Sequence, residues 1–105
     1  MIVYIDIDDT ICTLGSSMDY ESAQPIPKAI LKVNKLYDEG HTVRFWTARG
    51  TVTGIDWREL TESQLASWGV KYHSLIFGKP AYDLFIDDKN INSNDWLNAE
   101  DTCSR

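Results

Sequence analysis

The sequence predicts an α/β fold built on a parallel sheet, and three features carry that expectation. Apolar runs that read as strands alternate with stretches of helical periodicity. Glycines and prolines mark the borders between them. Each strand run also breaks off into polar, chemistry-bearing residues. Parallel strands end on one edge of their sheet, so such residues converge on the crevice where open α/β sheets hold ligands, however distant they are in sequence.

The first element is Ile2-Val3-Tyr4-Ile5, four apolar residues in the pattern of a strand buried on both faces. It runs into Asp6-Ile7-Asp8-Asp9-Thr10, whose three carboxylates cannot enter a core and therefore sit at the strand's carboxyl end. Ile11 to Gln24 lacks sustained periodicity and reads as a loop, its tip at Gly15 to Tyr20 either a small flap over the site or an ordinary connection. Pro25-Ile26-Pro27 introduces a helix that Gly40 closes. Ile26, Ile30, Val33 and Leu36 or Tyr37 form its apolar face, and Lys28, Lys32 and Lys35 a solvated stripe.

Thr42 to Trp46 is the second strand, ending at Thr47-Ala48-Arg49-Gly50. Asp56 and Glu59 form a capping pair for a helix carrying Trp57, Leu60, Leu65 and Trp68 and stopping at Gly69. Tyr72 to Phe77 is a third strand, running into Gly78-Lys79-Pro80. Leu84-Phe85-Ile86 is a short fourth strand ending in Asp87-Asp88-Lys89, and a helical turn or two over Asn94 to Ala99 precedes a polar tail.

A chain of 105 residues fits one domain, residues 1–105, and a domain of this size buries roughly two thirds of the surface its unfolded form exposes. The net charge of −6 argues against nonspecific nucleic-acid binding, which needs a basic face. No run approaches the ~20 apolar residues of a membrane span. A strand beginning at Ile2 leaves no room for a leader, and nothing pairs Cys12 with Cys103, so the expectation is a cytoplasmic chain with reduced thiols. His41 and His73 have no metal-ligand partner at useful spacing and read as structural.

Four segments, Asp6-Ile7-Asp8-Asp9-Thr10, the strand ending in Thr47, Gly78-Lys79-Pro80 and Leu84-Phe85-Ile86-Asp87-Asp88, resemble in order the four motifs of the haloacid dehalogenase-like superfamily of phosphatases and phosphotransferases. The resemblance covers essentially the whole chain. It implies a three-layer Rossmann-like fold with a central parallel sheet, and a phosphatase that works through an aspartyl-phosphate.

By that resemblance Asp6 is the nucleophile, dividing one hard step into formation and hydrolysis of a covalent intermediate. Asp8 carries the proton work. The Thr47 hydroxyl and Lys79 ammonium cradle the phosphoryl oxygens, where charge develops. Two carboxylates about 5 Å apart repel by roughly 3 kcal/mol at an effective dielectric near 20. A hard divalent ion with oxygen ligands relieves that repulsion, and Mg²⁺ is commonly held by one or two carboxylates. The resemblance implies Mg²⁺ ligation by the side chains of Asp6 and Asp87 and the main-chain carbonyl of Asp8, with Asp88 in a supporting role. Arg49, two residues past Thr47, is either a bidentate contact for an anionic group of the substrate or a surface arginine.

The intervals where this superfamily inserts a cap domain are used up by core elements, so the chain is similar to capless members. Their open site admits larger substrates or is covered by a neighbouring subunit, which makes a homo-oligomer an expectation consistent with the chain. The short form with Trp46-Thr47-Ala48-Arg49-Gly50 and Phe77-Gly78-Lys79-Pro80 resembles small capsule or polysaccharide-biosynthesis phosphatases, which points to a sugar phosphate or related small phosphomonoester as substrate. The alternatives are a noncatalytic Mg²⁺-dependent phospholigand-binding module and a receiver-like phosphoacceptor domain, whose motif order differs because its lysine comes last.

Overall fold

In the computed structural model of the chain, the described residues are 1–15 and 19–99. The chain folds as β1 (Ile2–Ile5), β2 (Cys12–Thr13), a 3-10 turn (Tyr20–Ser22), β3 (Gln24–Pro25), α1 (Pro27–Asp38), β4 (Thr42–Thr47), α2 (Arg58–Ser67), β5 (Ser74–Phe77) and α3 (Ser93–Asn98). β1, β4 and β5 form a three-stranded parallel sheet in that order, with Ile5 opposite Phe45 and Phe45 opposite Leu75. The alternation predicted from sequence is therefore present, and its crossovers set the layers.

Strands that step in one direction through right-handed crossovers place both helices on the same face. That face carries the core. Ile5, Val43, Phe45 and Leu75 on the strands pack with Ala29, Ile30, Val33 and Leu36 of α1 and Leu65 of α2 in one continuous buried cluster. Pro27 opens α1 at a position where its missing N–H costs nothing, and the chain turns out of the helix at Gly40, whose φ is +93°. Asp56 accepts the N–H of Arg58 at 3.0 Å and so serves the first turn of α2.

Two expectations are corrected here. β1 is not buried on both faces: Ile5 is covered, but Ile2 and Tyr4 are 61 % and 52 % exposed. The opposite sheet face, with Tyr4, Arg44 and Trp46, is covered by no helix layer among the described residues, so the three-layer arrangement is not realised there. Instead its side chains cover one another, with Arg44 donating to the Tyr4 hydroxyl at 3.2 Å and Tyr4 meeting Trp46 edge to face.

The second correction concerns Leu84-Phe85-Ile86, which forms no strand; Leu84 and Ile86 are 75 % and 87 % exposed. Three apolar residues offer few ladder bonds. Pairing them beside β1 would also bring Asp87 and Asp88 towards Asp6 and Asp8 against their mutual repulsion.

The segment predicted as a featureless loop has structure at its base. β2 pairs antiparallel with β3, Cys12 opposite Pro25, and Ile26 donates to the Ile11 carbonyl at 2.8 Å. The predicted flap tip includes residues 16–18, and Cys103 and the polar tail follow residue 99; these lie outside the described residues. Cys12 is a buried free thiol. His41 meets the amino terminus at 2.9 Å, and His73 stacks on Tyr37.

Candidate functional site at the carboxyl edge of the sheet

Asp6 follows β1, Thr47 ends β4, and Lys79 lies two residues past β5, so three strand ends deliver these side chains to one edge. The ladder continues between the last two, with the Lys79 N–H donating to the Thr47 carbonyl at 3.1 Å. Thr51 then accepts no role in the sheet but fastens the loop, its hydroxyl donating to the Lys79 carbonyl at 2.7 Å.

The Lys79 ammonium stands 3.6 Å from Asp6 Oδ1 and is 13 % exposed. The rings of Trp46 and Tyr82 flank it at 5.9 and 5.5 Å, holding the cation between aromatic faces. Burial pushes the Asp6 carboxyl above its ordinary value of 3.8, a push that Lys79 and the Ile7 N–H oppose and Asp8 reinforces. A carboxylate partly stripped of water beside a positive charge is suited to attack an electrophile that the same charge attracts.

Asp8 sits on a tight turn. Thr10 and Ile11 both donate to the Ile7 carbonyl, at 3.2 and 2.9 Å, and Asp9 adopts a left-handed φ of 62° that aspartate tolerates. Asp8 is met there by Arg49: Nε donates to Oδ2 at 3.0 Å and Nη2 to Oδ1 at 2.8 Å. The Arg49 side chain is 0 % exposed. Its Nη1 donates to Thr61 Oγ1 at 3.1 Å and Gln64 Oε1 at 2.6 Å, both on α2, and the Tyr20 ring lies 4.8 Å from the guanidinium carbon.

The surface reading of Arg49 is thereby corrected, and four of its five N–H donors are engaged by Asp8, Thr61 and Gln64, which leaves no pair of donors for a bidentate contact with substrate. Thr61 and Gln64 were missed altogether. Their signal was two polar residues falling on the face of α2 that also carries the buried Leu65.

Thr47 is buried, and its hydroxyl accepts the Arg49 N–H at 3.1 Å while keeping its own O–H to donate. Gly50 completes the turn with φ +82°, and a Cβ there would strike the Ile55 carbonyl. Beyond it, Tyr20, Val52, Ile55 and Trp57 line an open cleft of about 140 Å³ that begins at Ala48 and Gly50. Its lining runs along the Ala48–Gly50 turn and includes neither Asp6 nor Lys79.

Asp87 and Asp88 are not brought into this cluster. Both are exposed, and the Asp87 carbonyl accepts from the Asn90 side chain at 2.7 Å. Ser93 does reach the site's border, its hydroxyl donating to the Asp9 carbonyl at 3.3 Å. Among the described residues no three Asp, Glu, His or Cys side chains gather closely enough to hold a metal ion. The Mg²⁺ set expected from sequence, the Asp6 and Asp87 side chains and the Asp8 main-chain carbonyl with Asp88 in support, is not assembled in this arrangement, since the Asp87 and Asp88 side chains stand on an exposed segment away from Asp6.

No family model matches the chain, and no curated protein matches it. Among solved structures it is similar to a Vibrio cholerae protein determined as a structural-genomics target, with a TM-score of 0.85 and 21 % identity, over 94 % of this chain and 89 % of that one. That similarity extends to the fold. Among the described residues no helix is long and apolar enough to cross a membrane.

Proposed function

We propose that the chain is a phosphomonoester hydrolase of the haloacid dehalogenase-like kind, acting through an aspartyl-phosphate on Asp6. The observation that carries the reading is the pairing of the Asp6 carboxylate with the Lys79 ammonium at the shared edge of three parallel strands, with Asp8 on the adjoining turn. Phosphoryl transfer asks mainly for positioning and for positive charge near the equatorial oxygens. Lys79 supplies the charge, and Thr47 a donor at the neighbouring strand end.

In the first step an Asp6 oxygen attacks phosphorus and the bond to the leaving oxygen breaks, that oxygen taking a proton from Asp8. In the second, water attacks the same phosphorus and returns a proton to Asp8. The Asp6–phosphorus bond then breaks, releasing inorganic phosphate and restoring the carboxylate. Magnesium enters through the resemblance alone, and no step is drawn through it. The resemblance of Trp46-Thr47-Ala48-Arg49-Gly50 and Phe77-Gly78-Lys79-Pro80 to small capsule or polysaccharide-biosynthesis phosphatases supports a sugar phosphate or a similar small monoester as substrate.

Release of phosphate from 4-nitrophenyl phosphate, assayed with and without Mg²⁺, tests this function. Turnover is expected in the wild type and is expected to vanish in Asp6→Asn. Tight phosphate binding without turnover in the wild type would favour a noncatalytic phospholigand-binding module instead.

A further inference from the structure

Arg49 is the largest fully buried side chain of the described residues, and it is charged. A buried guanidinium without partners would be strongly destabilising, and here four groups meet its donors: both Asp8 oxygens, Thr61 and Gln64. The network continues outward, because Gln64 Nε2 donates to the Tyr20 carbonyl at 2.6 Å. One chain of hydrogen bonds thus ties the acidic turn after β1 to α2 and to the wall of the cleft.

The consequence for Asp8 is geometric. A carboxylate has about four acceptor positions. On Oδ1 one is taken by Arg49 Nη2 and another faces the Cys12 thiol at 3.5 Å, while Oδ2 accepts from Arg49 Nε alone. The open position is on Oδ2, and the Asp8 side chain as a whole is 19 % exposed.

We infer that Arg49 is a positioning residue, anchored by Thr61 and Gln64, that turns Asp8 so that Oδ2 is the atom exchanging a proton with the leaving oxygen. This rests on the reading of Asp8 as the proton donor. Arg49→Lys keeps one positive charge but loses the two-point grip that fixes the carboxylate plane. Gln64→Met keeps the volume of the α2 face while removing one anchor of Arg49.

A donor matters most where the leaving oxygen is a poor leaving group, and a merely structural loss would lower all substrates alike. The experiment therefore measures kcat/KM, which reports steps up to departure of the leaving group, for 4-nitrophenyl phosphate, phenyl phosphate and glycerol 3-phosphate. In Asp8→Asn and Arg49→Lys alike, kcat/KM is expected to fall about 100-fold for the alkyl ester and less than about 5-fold for the nitrophenyl ester. Gln64→Met is expected to show the same slope at smaller amplitude, and it decides the matter if Arg49→Lys does not fold.

Equal loss across the three esters in Arg49→Lys, or in a folded Gln64→Met, overturns the positioning role while leaving the proposed hydrolase intact. Equal loss in Asp8→Asn removes the donor reading on which the inference rests. A wild type inactive on every ester sinks the hydrolase itself.

Discussion

Two parts of this molecule carry aspartates at strand-like ends, and they differ in what surrounds them. Asp6 and Asp8 stand on a turn locked between β1, β4 and α2, each facing a cation, Lys79 or Arg49. Asp87 and Asp88 stand on a run of exposed residues from Ala81 to Asn92. The contrast teaches that an acidic group becomes part of a fixed site when buried cations and a packed strand hold it, and that an apolar triplet beside it does not suffice.

Replacing Asp6 should give the largest effect. Asp6→Asn is expected to lose at least about 1000-fold in turnover, since an amide cannot act as the nucleophile. Its stability should move the other way. Because burial raises the Asp6 carboxyl, the native state binds that proton more tightly than the unfolded chain does, and the charged form weakens the fold increasingly as pH rises from 3.8 through the raised native value. Thermal unfolding should therefore show Asp6→Asn more stable than wild type at neutral pH, with the gain vanishing below the ordinary carboxylate range. A variant less stable at pH 7 than at pH 3, relative to wild type, would contradict the sign.

Next comes the ion pair. Arg49→Leu strands Asp8, Thr61 and Gln64 without their partner and should cost about 3 kcal/mol in denaturant unfolding. A loss under about 1 kcal/mol would mean that the buried network is far looser than its distances state. Gly50→Ala should cost more than about 1 kcal/mol by the same measurement, because alanine resists the positive φ and its Cβ meets the Ile55 carbonyl.

The exposed segment should respond least. Asp87→Ala with Asp88→Ala is expected to change stability by less than about 0.5 kcal/mol. Hydrogen exchange should find the amides of residues 84–86 open to solvent while those of Val43 and Phe45 are protected. Protection at 84–86 that appears on adding Mg²⁺ and phosphate would show the segment joining the site, a distance its tether permits: six residues from Asp87 to Ser93 span at most about 20 Å.

The same contrast explains what was legible beforehand. Asp6, Thr47 and Lys79 could be placed because strand runs announce their own ends and parallel topology gathers those ends on one edge. Leu84-Phe85-Ile86 misled because β-propensity describes a fit to neighbours, and a triplet says nothing about whether a neighbour is available. The fate of Arg49 was hidden for a related reason: arginine is usually exposed, and its burial here depends on Asp8, Thr61 and Gln64, partners 41, 12 and 15 positions away. The half-open face of β1 was likewise invisible, since four apolar residues read alike whether one face is covered or two.

The most direct test of the account is to trap the reaction on the nucleophile: mix the protein with 4-nitrophenyl phosphate, quench in acid within the first turnover, and map the bound phosphoryl group by peptide mass spectrometry. The prediction is a phosphoryl group on Asp6 in the wild type and none in Asp6→Asn. A phosphoryl group on another residue, or undiminished hydrolysis by Asp6→Asn, would contradict it.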